Sequence, residues 1–369
     1  MPGRILRITL WLASVLAVVG YIVLAARGLP SPHPRDPLEI AILEHATRLA
    51  HGQAMYCDPA RTPAPELMPG FPFVVSGLVR MFEADPWEPR FVDLLATLFA
   101  AVLVMVIVRR ETRSATLGVA SCGLLLLGEA LAQGGSAGSH PESLMLFLAL
   151  AGCMLIRYGS GIREALEASL VLAAGCFTHA AGLWFAFAAL FHLAVHDRRR
   201  LVAFAAGLAV FVGGGQVALS IGLGPWFDYQ AWDVPLRALR FEPVGLVHFL
   251  GTQILGTLGV LALGTVLTFA LPTPPWRGAV GIWTWMALAA LGAGIAATQS
   301  ASGAADALRP VAVMLALAGP VSIQRVTQHL AAWPGSTRLG GRGLVLTALA
   351  LQFLALAAHM TPAILGSAG

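Results

Sequence analysis

The chain contains no lysine, and all 23 of its basic residues are arginine. Charged residues make up only 11% of the 369, with a net charge of +4. Charge this sparse, with no clustered basic face, excludes a nucleic-acid-binding groove. Cysteine is also scarce. Of the four, Cys57 stands alone in a loop, while Cys122, Cys153 and Cys176 lie in apolar runs. No pair has metal-ligand spacing, so they read as small buried hydrophobes. Arg4 and Arg7 precede a long apolar run, but no small-residue cleavage site follows it. Residues 9–27 therefore read as a retained membrane helix and not as a removable signal. No domain boundary, repeat or low-complexity tract divides the chain, so 1–369 reads as one transmembrane domain. The exclusive use of arginine, with 40 glycines and abundant alanine, suggests a bacterial genome rich in G and C.

What the chain has in quantity is apolar sequence. Hydrophobic residues make up 57% of it, and mean hydropathy is +0.76. A soluble core of this size cannot hide that much apolar surface, so the fold class is all-α, a polytopic integral membrane protein. Candidate spans are 9–27, 91–108, 115–132, 143–158, 164–178, 180–196, 201–221, 246–270, 278–296, 308–324 and 343–362, about eleven transmembrane helices. Arginine sets their orientation. Arg109, Arg110 and Arg113, then Arg157 and Arg163, then Arg198 to Arg200, then Arg277, then Arg325, Arg338 and Arg342 all fall in alternate connections. By the positive-inside rule these connections and the N-terminus are cytoplasmic, and the C-terminus is external. The expected location is the bacterial cytoplasmic (inner) membrane.

The acidic residues gather in the opposite connections. The first external loop, 28–90, is too long for a simple link. Within it 37–51 patterns as an interfacial helix entered through Asp36 and Pro37, and 71–82 as a surface or re-entrant helix. Asp36 is either the N-cap of that helix or a general base at the membrane boundary, and the two roles are compatible. Glu39 stands at i+3. It either bonds back to the cap backbone or faces the same cavity. His140 and Glu142 flank Pro141 at a helix start, and His179 sits in a tight turn on the same side. Each is either a local structural partner or a contact for a phosphate or substrate hydroxyl. Three external histidines without spacing do not make a metal site, so none is expected. Glu129, near the outer end of span three, should face the bundle interior. Arg309 begins span ten beside Asp306, where it suits either a local ion pair or a lipid phosphate. In the second external loop, 222–245, Trp226, Phe227, Tyr229 and Trp232 interleave with Asp228 and Asp233. This is either an aromatic belt at the headgroup level or a wall over a sugar or lipid-linked ligand.

Several of these segments resemble one family. They are "DPLE" at 36–39, "ATRLAHGQAMYCDP" at 46–59 with Gly52, Tyr56, Asp58 and Pro59 in a G-x-x-x-Y-x-D-P pattern, and a proline-rich turn. A short helix ending near "EPR" at 88–90, "RRET" at 109–112 and "SGAADALRP" at 302–310 complete the set. Together they resemble the GT-C superfamily of polytopic, lipid-sugar-dependent glycosyltransferases, including protein O-mannosyltransferases and bacterial aminoarabinose transferases. The resemblance implies a GT-C-like first periplasmic loop carrying interfacial helices, with the family's catalytic acid falling on Asp36. It implies a polyprenyl-phosphate monosaccharide as donor, with no cofactor, and a glycan, lipid or protein as acceptor. Transfer would be metal-independent and inverting, the leaving lipid phosphate steadied by Arg309 with His140 behind it. Glu39 stands as the second catalytic carboxylate. Tyr56, Asp58, His140, Glu142, His179, Trp226 and Asp228 stand as substrate-binding candidates. The chain departs from the family where Pro37 follows Asp36, where Ser139-His140-Pro141-Glu142 replaces an Arg-x-Asp-like motif, and in having no lysine. Two other classes compete: a non-catalytic GT-C-like scaffold or accessory subunit, and a lipid or solute transporter. The sequence does not fix the oligomeric state.

Overall fold

The computed structural model describes residues 2–34, 36–59, 67–132, 138–272, 281–299, 307–332 and 341–366. The readings made on Asp306, Arg277 and Arg338, and on most of 302–310, lie outside them. Among the described residues every regular element is helical. This follows from the solvent: in hydrocarbon a backbone must satisfy its own N–H and C=O groups, and an isolated helix does so.

Nine described helices are long and apolar enough to cross a membrane. In chain order these are α1 (Pro2–Gly28), α4 (Trp87–Thr112), α5 (Ala115–Ala132), α6 (Pro141–Tyr158), α9 (Arg198–Leu223), α11 (Pro243–Ala270), α12 (Gly281–Thr298), α13 (Leu308–Ala331) and α14 (Gly341–Gly366). The expected spans at 164–178 and 180–196 are also helices, α7 (Ile162–Thr178) and α8 (Gly182–His196), of 17 and 15 residues. They fall short of the length criterion, yet their ends alternate between the two sides of the bundle. His179 at the close of α7 meets Glu142 at the start of α6, and Arg200, just past α8, bonds the Ile156 carbonyl at the end of α6.

The arginine-rich end is tied across the bundle. Glu111 of α4 accepts from Arg157 Nε at 2.8 Å and NH2 at 3.0 Å, from Tyr158 OH at 3.1 Å and from Trp283 Nε1 at 3.1 Å. Gln324 of α13 bonds the Thr112 carbonyl. Burial is uneven. In α13, 83% of the spanning window is buried inside the protein; in α9 only 11% is, and Val202, Val210, Val217 and Ile221 face outward. Thus α13 is the central helix, and α9 lies on the rim facing lipid.

The first external loop folds as expected into α2 (Pro37–Ala50) and α3 (Gly70–Val79). Asp36 caps α2, and Pro37 occupies its first turn, where no N–H is needed. Gly52, with φ +69°, closes it: Gly52 N–H bonds the Leu49 carbonyl and Gln53 N–H the Arg48 carbonyl. A left-handed residue is required there, so the glycine of the loop pattern is a helix stop. Ile42 and Ala46 of α2 bury against Phe71, Val75 and Val79 of α3 and Val92 of α4. Ile40 of α2 and Phe73 and Val74 of α3 face outward. Residues 225–238 of the second loop are helical as well (α10), and bury Phe227 and Ala231 against Met55, Tyr56 and Met68.

Candidate active site

Where α1 ends, α2 begins and α4 begins, one arginine binds all three. Arg90, in the first turn of α4, is 1% exposed, and Glu39 is 0% exposed. Arg90 Nε donates to Glu39 Oε1 at 2.6 Å and NH2 to Oε2 at 2.9 Å. The remaining donors reach the carbonyls of Gly28 at 2.9 Å, Ser31 at 2.7 Å and His33 at 2.9 Å. Ser139 Oγ adds a bond to Glu39 Oε1 at 2.8 Å. A planar guanidinium matches this forked demand as no ammonium would. Both oxygens of Glu39 are thus engaged, by Arg90 and Ser139. The carboxylate holds the first loop onto the bundle.

Asp36, three residues earlier, is half-buried. Its Oδ1 accepts the Glu39 N–H at 2.7 Å, and no other bond to this side chain is seen among the described residues. The cap fixes the direction of the carboxylate at the edge of the Glu39–Arg90 clamp.

Glu142 starts α6 and is 7% exposed. His179 is its described partner: His179 Nε2 lies 3.2 Å from Oε1. His179 Nδ1 accepts the Ala181 N–H at 3.2 Å, which leaves the proton on Nε2 and makes the ring a donor to Glu142. Glu142 Oε2 is buried without a hydrogen-bond partner among the described residues. His140 takes the N-cap position of α6 but makes no side-chain cap bond. Its half-buried ring lies over Gly138, where a Cβ would run into it.

Beneath these groups lies a second buried cluster. Arg309 at the start of α13 is 0% exposed. Its NH1 donates to Ser143 Oγ at 3.2 Å and lies 3.7 Å from Asp93 Oδ1, and its Nε lies 3.3 Å from Glu129 Oε2. Glu129 does face the interior, as its cost in lipid requires. Arg309 is enclosed by two carboxylates in this arrangement. Asp93 was not singled out from the sequence, although an acid inside a candidate span was the signal that would have found it.

The other candidates belong to the packing between the two external loops. Tyr56 OH donates to the Leu67 carbonyl at 2.8 Å. Its ring lies 5.7 Å from His45 and 5.3 Å from Phe227. Burial pushes the Tyr56 phenol well above its ordinary range and His45 down to about 4. Gln230 Nε2 bonds the Cys57 carbonyl at 2.6 Å, and Asp58 is half-buried beside it in sequence. Trp226 stands edge-on to Tyr229, and exposed Asp228 accepts from Gln216 at 2.7 Å and Ser220 at 2.8 Å. These contacts make α10 a docked brace on the first loop. Among the described residues no three His, Cys, Asp or Glu side chains gather as a metal-binding group.

The arrangement can be compared with known proteins. No protein-family model matches the sequence, and a search of curated proteins finds no match. The fold does have counterparts. ArnT from Cupriavidus metallidurans, solved bound to undecaprenyl phosphate, superposes with a TM-score of 0.66 at 15% identity, over 95% of this chain and 76% of that one. The same protein in the apo state gives 0.61 at 14% identity, over the same shares. The archaeal oligosaccharyltransferase AglB from Archaeoglobus fulgidus, solved with an inhibitory peptide and a dolichol-phosphate, gives 0.57 at 13% identity, over 96% of this chain and 56% of that one. Both proteins are GT-C superfamily members, and this chain has their fold. The resemblance read from the first loop therefore holds at the level of architecture.

Proposed function

We propose that the protein is a glycosyltransferase that moves a monosaccharide from a polyprenyl-phosphate donor to an acceptor at the outer face of the bacterial cytoplasmic membrane. What carries the reading is a carboxylate, Asp36, held at the mouth of a GT-C-like bundle by a clamp that consumes Glu39 and Arg90 entirely. Asp36 takes the proton from an acceptor hydroxyl or amine. The acceptor atom attacks C1 of the sugar, the bond from C1 to the phosphate oxygen breaks, and polyprenyl phosphate leaves with that electron pair. One displacement inverts C1 and needs no metal to form its nucleophile.

Arg309 is enclosed, so the leaving phosphate is met by His140, the half-exposed donor of the cluster. Glu142, oriented by His179, offers its second oxygen to a substrate hydroxyl. Preorganised groups of this kind act more strongly in a water-excluded site than in solution. The experiment is transfer by the purified protein from a panel of radiolabelled polyprenyl-phosphate sugars to native membrane extract. Label appearing in an acceptor supports the reading. No transfer from any donor by folded protein contradicts it and favours a scaffold of the same fold.

A further inference from the structure

The end of the bundle opposite Asp36 carries a cavity of its own. It is about 680 Å³, an open pocket lined by α1, the turn between α4 and α5, α13 and α14. Arg7 and Arg113 stand on its wall, and none of its described lining residues is acidic. Arg113 has φ +53° and is the one described non-glycine residue in the left-handed region. Holding a Cβ there is costly, and such outliers persist where the surroundings impose them. Ser114 Oγ accepts the Leu117 N–H at 3.4 Å, so α5 begins at the cavity, with no acid in its first turn to offset its positive end. Gln324 also lines it, its Nε2 used on the Thr112 carbonyl.

A second cavity, about 600 Å³ and almost wholly apolar, follows the same helices. Leu10, Ala17 and Gly20 of α1, Leu126 of α5, and Phe353 and Leu354 of α14 line it. On α1 the polar cavity touches Arg7 and the apolar one starts at Thr9; on α14 they touch Leu346 and Ala350. The groove runs up α1 from Thr9 to Leu24, about 22 Å at the helical rise.

We propose that this seam binds one anionic phospholipid from the leaflet at the arginine-rich end. Its phosphate sits between Arg7 and Arg113, and an acyl chain lies in the α1/α5/α14 groove. The charge selects the headgroup: two arginines with no acid beside them suit a lipid phosphate and disfavour a zwitterion. The apolar groove argues for a lipid and against a soluble anion.

Native mass spectrometry of the full chain in detergent, titrated with palmitoyl-oleoyl phosphatidylglycerol or phosphatidylcholine, tests this without any need for glycosyl transfer. The wild type should bind phosphatidylglycerol preferentially. Arg7→Gln with Arg113→Gln should weaken that binding about thirtyfold at an unchanged melting temperature. Gly20→Phe has open space for its Cβ, with nothing within 4 Å. It should weaken the long-chain lipid and leave dihexanoyl phosphatidylglycerol unaffected. Equal binding of the two headgroups overturns the proposal, as does retention by the double variant. Displacement by inorganic phosphate with no effect of Gly20→Phe would make this a soluble-anion site and also overturn it. Should the double variant fail to fold, unchanged long-chain binding by Gly20→Phe is sufficient to overturn it.

Discussion

Glu111 and Glu142 are both carboxylates near helix ends in one bundle, and they are treated in opposite ways. At the arginine-rich end Glu111 receives donors from Arg157 and Tyr158 of α6 and Trp283 of α12, so its charge is matched from two neighbouring helices. At the acidic end Glu142 has His179 on one oxygen and, among the described residues, no hydrogen-bond partner on the other. The same contrast recurs within the acidic end: Glu39 is saturated by Arg90 and Ser139, whereas Asp36 makes one cap bond. A saturated buried carboxylate costs nothing further in place and a great deal to disturb. An unsaturated one carries an unmet demand that an incoming donor can meet. Position in the sequence does not separate these four acids, but the donors around them do.

Mutations can sharpen or break this division. The largest effect is expected from Asp36→Asn. Transfer should fall by about 10²–10⁴-fold, the range for loss of a positioned base, at an unchanged melting temperature. Arg90→Met should do the reverse. By stranding Glu39 in the interior it should destabilise the protein by roughly 3–5 kcal/mol, read as a lowered thermal midpoint in detergent; a smaller shift would show that the clamp is relaxed by water. Next comes the acid limb of stability. Burial holds His45 near 4, whereas an unfolded imidazole binds its proton near 6.5. Between those values the unfolded chain carries more protons. The contribution is therefore complete above about 6.5 and declines as pH falls toward 4, by up to about 3 kcal/mol. His45→Phe should flatten that limb. The smallest stability effect is expected from Glu142→Gln, under about 1 kcal/mol, because the amide oxygen still accepts from His179. Its transfer should nonetheless drop about tenfold. Glu111→Gln should show the opposite balance, with stability lowered and turnover per folded molecule kept.

Much of the fold was legible because its causes are local. Apolar runs give the spans, arginines in alternate connections give the order of ends, and Asp36-Pro37 announces α2 through cap and ring chemistry. Even the short α7 and α8 were legible, because Arg157, Arg163 and the 198–200 arginines bracket them. The site was legible only as a collection. Asp36, Glu39, His140, Glu142 and His179 fall at one end, as the acidic loops indicate, but their partners are set by tertiary contact. Glu39 meets Arg90 across 51 positions and Ser139 across 100, separations that no periodicity reports. The sequence puts Glu142 and His140 at one helix start without naming a partner for either; the described partner of the carboxylate is His179, 37 positions on. Arg309 looked available because it begins a helix beside a loop. Two acids from α4 and α5 surround it instead. The 222–245 segment offered aromatics without a clean helical stripe, and its helix α10 forms by docking on Tyr56.

The most direct test is the rate of sugar transfer by Asp36→Asn measured beside Glu111→Gln, each normalised to folded protein. A collapse of transfer in the first with turnover kept in the second is the result expected if chemistry resides at the acidic end. Transfer undiminished in Asp36→Asn would contradict the account.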